Sequence, residues 1–246
     1  MGKLDRRRTH EIFHQKTLMQ KRIISEKNFT YRIILSVVNK YFKGKKKILD
    51  IGCGVGTICL YLANRNNNVF GIDISQNAII SCKQSAKSLQ FKNVYFERMD
   101  FPNKTPDENF DYIVCSEVIE HLEDDELALR KIYSLLKPKG IVIISTPSKN
   151  APLYKLGLAK EFDDRVGHLR RYTVEELVEK CKVNGFSILD TKKTEGVLRN
   201  FLFLNPIAGK FVRFIKFFLS DIVTFLDDIS LRLFGESQIF VVVKKP

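Results

Sequence analysis

Two periodicities divide the chain. From Lys45 onward, short apolar runs alternate with stretches whose apolar residues recur every three or four positions. The runs at 47–51, 68–72, 94–98, 110–115, 140–146 and 186–192 predict strands. The stretches at 57–65, 76–89, 125–136 and 173–184 predict helices. Thr173 with Glu176 three residues on reads as a capping box, and Gly185 as the stop of that helix. Strands alternating with helices imply a doubly wound α/β sheet, mostly parallel, with helices on both faces. In such a sheet ligands sit outside the carboxyl ends of the strands.

The two ends of the chain depart from this alternation. Residues 1–43 predict a helical extension: Phe29, Ile33, Val37 and Tyr41 recur every four residues, and Ile34 and Val38 widen the stripe. Arg6, Arg7, Arg8, Lys16, Lys21, Arg22 and Lys27 make it basic. Between 197 and 235 lies an amphipathic helix or helix pair, with Phe211, Phe214, Phe218, Ile222, Phe225, Ile229 and Leu233 on one stripe. Lys210, Arg213 and Lys216 lie off it, and Asp221, Asp227 and Asp228 follow. Three uses stay open: a basic end on anionic headgroups with phenylalanines in the acyl boundary, a helix packed on the sheet, or a lid over an apolar substrate. The run 238–244 reads as a last strand.

The chemistry concentrates in Lys-Ile-Leu-Asp-Ile-Gly-Cys-Gly-Val-Gly-Thr, residues 47–57. A buried strand breaks into alternating glycines, Gly52, Gly54 and Gly56, and a helix begins at Thr57. Missing Cβ atoms let backbone approach a ligand, and the helix start offers unpaired N–H groups. Asp73 ends the next strand, near the ~20-residue offset of a carboxylate that takes ribose hydroxyls. Thr57 stands where a dinucleotide fingerprint has its third glycine.

The alternate-glycine form with Asp50 ahead of it resembles the class I S-adenosylmethionine (SAM) methyltransferases, over roughly residues 45 to 186 plus the last strand. The resemblance implies a seven-stranded, Rossmann-like sheet whose last strand is antiparallel, so that 197–235 is an insertion before it. It implies that Asp50 and the glycine loop hold the methionine part of SAM, that Asp73 takes the ribose, and that Asp100 takes the adenine amino group between Met99 and Phe101. Ile74 and Ser116 complete the cofactor set. In many relatives an N-terminal helical extension covers that site.

The fourth strand ends Ser-Glu-Val-Ile-Glu-His-Leu. Glu117, Glu120 and His121 have i, i+3, i+4 spacing, which one helical turn would place on one face. His168 comes from a later loop. Two carboxylates and two imidazoles suit a divalent cation, Mg²⁺, Mn²⁺ or Zn²⁺, acting as a Lewis acid on a substrate hydroxyl. The set resembles two metal-using subfamilies, the ubiquinone-biosynthesis O-methyltransferases and the small-RNA 3′-terminal 2′-O-methyltransferases. It also resembles the fourth-strand motif of metal-free class I enzymes, where Glu117 orients SAM; His121 or His168 is then the general base. Arg170, Arg171 and Tyr172 adjoin His168 as contacts for an anionic group or as solvated charges ahead of Thr173.

The chain has 246 residues, 44% hydrophobic and 28% charged, enough for one sizeable core. Its net charge of +13 points to an anionic partner, a membrane surface or nucleic acid, or to a generally basic surface. Five scattered cysteines without a CxxC pair predict reduced, mostly buried thiols and a cytoplasmic protein, peripheral on a membrane if 197–235 docks there. Three functions follow as expectations. The first is O-methylation of a hydrophobic or membrane-associated small molecule, a quinone precursor or lipid-linked acceptor. The others are ribose 2′-O-methylation of RNA through the Glu/Glu/His/His set, against which no stacking platform is recognisable, and SAM binding without catalysis. Oligomeric state is left open.

Overall fold

The computed structural model describes residues 11–12, 19–205 and 218–246. Seven strands form one sheet in the order β3-β2-β1-β4-β5-β7-β6. They are β1 (Lys47–Ile51), β2 (Asn68–Asp73), β3 (Val94–Arg98), β4 (Phe110–Ser116), β5 (Leu136–Pro147), β6 (Ser187–Thr194) and β7 (Gln238–Lys244). Strands β1 to β5 pair in parallel; β7 runs antiparallel between β5 and β6. This is the Rossmann-like methyltransferase architecture that the alternation and the loop imply. Strand β5 starts earlier than expected, at Leu136, which pairs with Phe110 across a register shift.

The helices used below are α1 (Arg32–Tyr41), α2 (Thr57–Ala63), α3 (Gln76–Ser88), α4 (Asp125–Leu135), α5 (Lys160–Val166), α6 (Val174–Val183), α7 (Val197–Leu204) and α8 (Phe218–Phe234). Their ends follow local chemistry. Ser75 caps α3 and Asp124 caps α4 through side-chain oxygens. Thr173 and Glu176 form the full capping box on α6.

Successive strand residues point to opposite faces, so the core has two halves. Leu49, Ile113 and Val142 pack with α4 and α6 on one side, while Ile48, Val69 and Val114 pack with α1, α2 and α3 on the other. Helix α1 buries Ile34, Leu35, Val37 and Val38 there.

Two expectations about the chain ends change. Among the described residues before α1, only 11–12 are helical, and 19–31 run as turns and extended chain. Residues 6–8 and 16, part of the basic set, lie outside the described residues, as do Phe211, Phe214, Lys210, Arg213 and Lys216. Between β6 and β7 the chain forms α7 and α8. The stripe on α8 is largely exposed at Ile222, Phe225, Ile229 and Leu233, whereas Asp227, off the stripe, is buried. The charged residue is buried because it caps α7: Asp227 accepts from Gly196 N at 2.8 Å and Arg199 N at 2.8 Å.

Candidate active site

A cavity of about 880 Å³ opens at the carboxyl ends of β1, β2 and β4. The glycine loop forms one wall. Gly52 N and Cys53 N both donate to Ile72 O, at 2.8 and 2.9 Å, which ties the loop to the end of β2. Gly52, Gly54 and Gly56 all have positive φ, the region where other residues are strained. Gly52 and Gly54 line the cavity; Gly56 does not. A Cβ on Gly56 would lie 3.1 Å from the Phe96 ring and 3.0 Å from Cys82 Sγ, so this glycine serves packing of α2 against β3 and α3.

Asp73 lines the cavity and binds the loop as well. Its Oδ2 accepts from Gly54 N at 2.9 Å and its Oδ1 from Ser75 N at 2.9 Å. Asp50 lies below, 2% exposed, accepting from Cys59 Sγ at 3.1 Å. Burial pushes the Asp50 carboxyl up to about 7, opposed by the Cys59 bond and aided by the charge of Asp73. Met99, Phe101, Ile74 and Ser116 also line the cavity. Asp100 does not: it turns away after β3 and accepts from Asn103 Nδ2 at 3.3 Å. The chain reverses direction there, so the two flanking apolar side chains face in and the carboxylate faces out. All five cysteines are free and buried.

Sequence reasoning missed two contacts from the N-terminal arm. Glu11 accepts from Gln76 N at 2.7 Å, Asn77 N at 3.3 Å and Ser75 Oγ at 2.9 Å, which satisfies the open end of α3. Despite partial burial, those bonds hold its carboxyl below the usual range. Gln20 Nε2 donates to Val55 O at 3.1 Å and Thr57 Oγ1 at 2.6 Å, across the glycine loop. Neither residue stands in a pattern that would mark it.

The end of β4 corrects the single helical turn. Only Ile119–His121 form a turn, of 3-10 type, and Glu117 sits before it with φ +54°. Glu117 therefore points away from Glu120. It lines the cavity and accepts from Ser145 Oγ at 3.0 Å and Gln238 Nε2 at 2.8 Å. Glu120 points inward, 0% exposed, with Oε2 bonded to Thr146 Oγ1 at 3.1 Å and Oε1 without a hydrogen-bond partner. Burial, then the Glu117 charge, pushes Glu120 well above the ordinary range; Glu117 too is raised, by desolvation, although it keeps surface open to the cavity.

His121 and His168 meet at this carboxylate. Their Nε2 atoms lie 4.0 and 3.9 Å from Glu120 Oε1, and their rings stack edge-on at 4.8 Å. Each Nδ1 is engaged elsewhere: His121 with Gly167 O at 3.0 Å, His168 with Asp163 Oδ1 at 2.8 Å. These acceptors place the proton on Nδ1 and direct Nε2 toward Glu120, the arrangement of ligating histidines. Asp163, marked by no motif, also takes both Nε and Nη2 of Arg171, at 2.8 and 2.6 Å. Its carboxyl is lowered: burial opposes this, but His168 and Arg171 outweigh it. Arg171 is thus a buried brace; Arg170 bonds Glu123 O at 3.1 Å.

Of the four expected metal ligands, Glu120, His121 and His168 converge within 4.8 Å of one another, and Glu117 does not. The far wall comes from the segment between β6 and β7. Glu195, Asn200, Phe203 and Leu204 line it, with Ser237 and Gln238 from the start of β7. Glu195 directly follows the last residue of β6, a carboxylate at a strand end that is legible in the sequence yet not used there.

A glycine turn after β1, a carboxylate at the end of β2 and the 3-2-1-4-5-7-6 strand order are those of the Rossmann-like methyltransferase fold. Residues 42–200 match the family model described as a methyltransferase domain, and the chain belongs to that family. Among curated relatives, ubiquinone biosynthesis O-methyltransferase of Bradyrhizobium diazoefficiens is 32% identical over 47% of this chain and 45% of its own length. That of Glaesserella parasuis is 35% identical over 45% of this chain and 49% of its own. The match thus spans under half the length of these relatives. Phosphoethanolamine N-methyltransferase 2 of Haemonchus contortus, solved with SAM, shares the fold with TM-score 0.66 at 20% identity, over 88% of this chain and 53% of that one. The [4+2]-cyclase SpnF shares it with TM-score 0.62 at 22% identity, over 87% and 81%.

Proposed function

We propose that the protein transfers the methyl group of SAM to an oxygen of a hydrophobic or membrane-associated small molecule, a quinone precursor or a lipid-linked acceptor. The observation that carries this reading is the segment between β6 and β7. Its helix α7 gives the cavity an apolar wall, Phe203 and Leu204, and α8 presents exposed Leu219, Ile222, Leu226, Ile229 and Leu233 at spacings of three and four. Such a stripe suits a bilayer surface, and the charge of +13 suits anionic headgroups. Among the described residues no helix is long and apolar enough to cross a membrane. The O-methyltransferase name of the curated relatives supports oxygen as the acceptor atom.

The residues suit SAM. Asp50, Asp73 and Glu117 crowd one cavity and the first and last are raised, so a ligand carrying positive charge relieves them. SAM supplies an activated methyl on a sulfonium. The chain's part is then to hold the amino-acid tail near Asp50 and the loop, hold the ribose at Asp73, exclude water and take the acceptor's proton. His121 and His168 line the cavity as candidate bases.

The cluster of Glu120, His121 and His168 suits a divalent cation, since its orphaned buried oxygen faces two imidazoles held by their other nitrogens. A cation there would supply Lewis acidity toward an acceptor hydroxyl. The same cluster favours the second reading, RNA ribose methylation.

Tritiated-methyl transfer from SAM into lipid, small-molecule and RNA fractions of host lysate tests the choice. Label in the first two supports the proposal; label in RNA ribose supports the second reading; SAM binding without transfer leaves a non-catalytic partner. Co-sedimentation with phosphatidylglycerol vesicles tests docking: it should drop at least fivefold in Phe225→Ser/Leu233→Ser, both residues being exposed. An unchanged value refutes contact through α8.

A further inference from the structure

We propose that Glu195 holds the methyl acceptor, its carboxylate receiving a hydrogen bond from a hydroxyl or protonated amine carried on an apolar body. Four observations converge on it. Glu195 lines the same cavity as the glycine loop. Its backbone is left-handed, φ +57°, a conformation strained for a residue with a Cβ and open to glycine.

The other strained positions sharpen that point. Among described non-glycine residues with positive φ, Asn66 and Gln90 sit in exposed turns and Lys139 is an exposed residue of β5. Only Glu117 and Glu195 line the cavity, and strain retained at a cavity wall marks a side chain that is needed there.

The third observation is the brace. Arg199 is 0% exposed, and its Nε donates to Glu195 Oε1 at 3.2 Å. The guanidinium lies 4.0 Å from the Phe29 ring centroid, is bonded to Phe29 O, and faces Phe203 at 6.0 Å. A buried arginine fixed on three sides orients the carboxylate rather than leaving it to swing. Backbone bonds from Ser237 N to Glu195 O at 2.7 Å and to Thr194 O at 3.2 Å fix the residue as well.

Fourth, among the described residues the hydrogen bond that this carboxylate accepts comes from Arg199. Burial raises the Glu195 carboxyl to about 7; Arg199 opposes this, and the charges of Glu117 and Asp227 add to it. One turn on, Asn200 lines the same wall with its Oδ1 buried and unbonded. Phe203, Leu204 and Phe162 supply apolar surface around this acceptor-rich patch. A ligand that brings its own donor on an apolar body completes the wall; one with only acceptors leaves the carboxylate desolvated and unpaired, which is costly.

The proposal rests on the methyltransferase reading, and the test separates them. Wild-type protein is first titrated with S-adenosylhomocysteine; no binding refutes the methyltransferase reading itself. The saturated complex is then titrated with 4-butylcatechol, 4-butylbenzylamine and 4-butylveratrole, which share a body and differ in donors. At least one donor-bearing probe should bind tenfold or more tighter than the veratrole, and which one wins distinguishes a hydroxyl from an amine acceptor. Glu195→Leu should abolish the preference and Glu195→Gln reduce it about threefold, both with S-adenosylhomocysteine affinity within twofold of wild type. If Glu195→Leu does not fold, Glu195→Gln decides alone. Equal binding of the probes by wild type, no binding of any of them, or an unchanged preference in the variants overturns the assignment.

Discussion

The glycine-loop wall is built around 50–75, one stretch of chain folded on itself, with backbone N–H groups meeting Ile72 O, Asp73 and one another, and Gln20 bracing it from the N-terminal side. The opposite wall collects Glu117, His168, Glu195 and Gln238 from four distant segments, with side chains and buried charge. The first wall suits a ligand of fixed chemistry, because backbone geometry varies little with sequence. The second can be re-cut by changing one helix, which is how one fold serves many acceptors. If this division holds, damage to the far wall should spare SAM binding, and the reverse.

The largest test is Gly196→Ala. A Cβ there would lie 2.0 Å from Ser230 Oγ, 2.5 Å from Asp227 O and 2.6 Å from Leu231 N, and two of these are backbone. Loss of α8 docking should cost about 3 kcal/mol in urea titration. SAM affinity measured on the folded variant should stay within threefold; a parallel loss breaks the division.

Asp73→Ala should weaken SAM binding by about 1.5–3 kcal/mol, ten- to a hundredfold in calorimetry, by removing the ribose acceptor and freeing Gly54 N. Donor-probe binding on the far wall should not change. Unaltered SAM affinity refutes the ribose placement.

Stability should fall as pH rises from 5 to 8. Asp50 and Glu195 titrate near 7 when folded, above their ordinary values, so the folded state holds protons that the unfolded chain has lost. Their stabilising share is complete below about pH 4 and gone above about 7. The drop should show in thermal melts and be divided between Asp50→Asn and Glu195→Gln, one per wall. SAM should shrink only the Asp50 share. A flat profile removes both carboxyls from the account.

The smallest effect belongs to the tie between the walls. Arg32 Nη1 meets Asp221 Oδ1 at 2.9 Å with both side chains partly exposed. Arg32→Ala should cost under about 1 kcal/mol, less at high salt. A larger loss would mean that α1 and α8 fold as one unit.

The cofactor wall was legible because its signals are local. Strand, turn glycines and strand-end carboxylate follow one another, so spacing and the family resemblance together marked Asp50, Gly52, Gly54 and Asp73, all of which line one cavity. Asp100 is outside that lining; a strand-end acid reads the same whichever way the chain turns. Glu117 misled because helical spacing was assumed where the backbone takes a left-handed residue. Asp163, Glu11, Gln20 and Arg199 gave no signal: each matters through a partner far along the chain.

By itself the sequence determined the α/β alternation, the parallel sheet and the glycine turn, since periodicity and missing Cβ atoms act over a few residues. The tertiary structure alone decided which charges are buried, that Glu120, His121 and His168 share one point, and that Glu195 and the glycine loop line one cavity. Those outcomes depend on distances between segments, and a linear pattern carries no such distances.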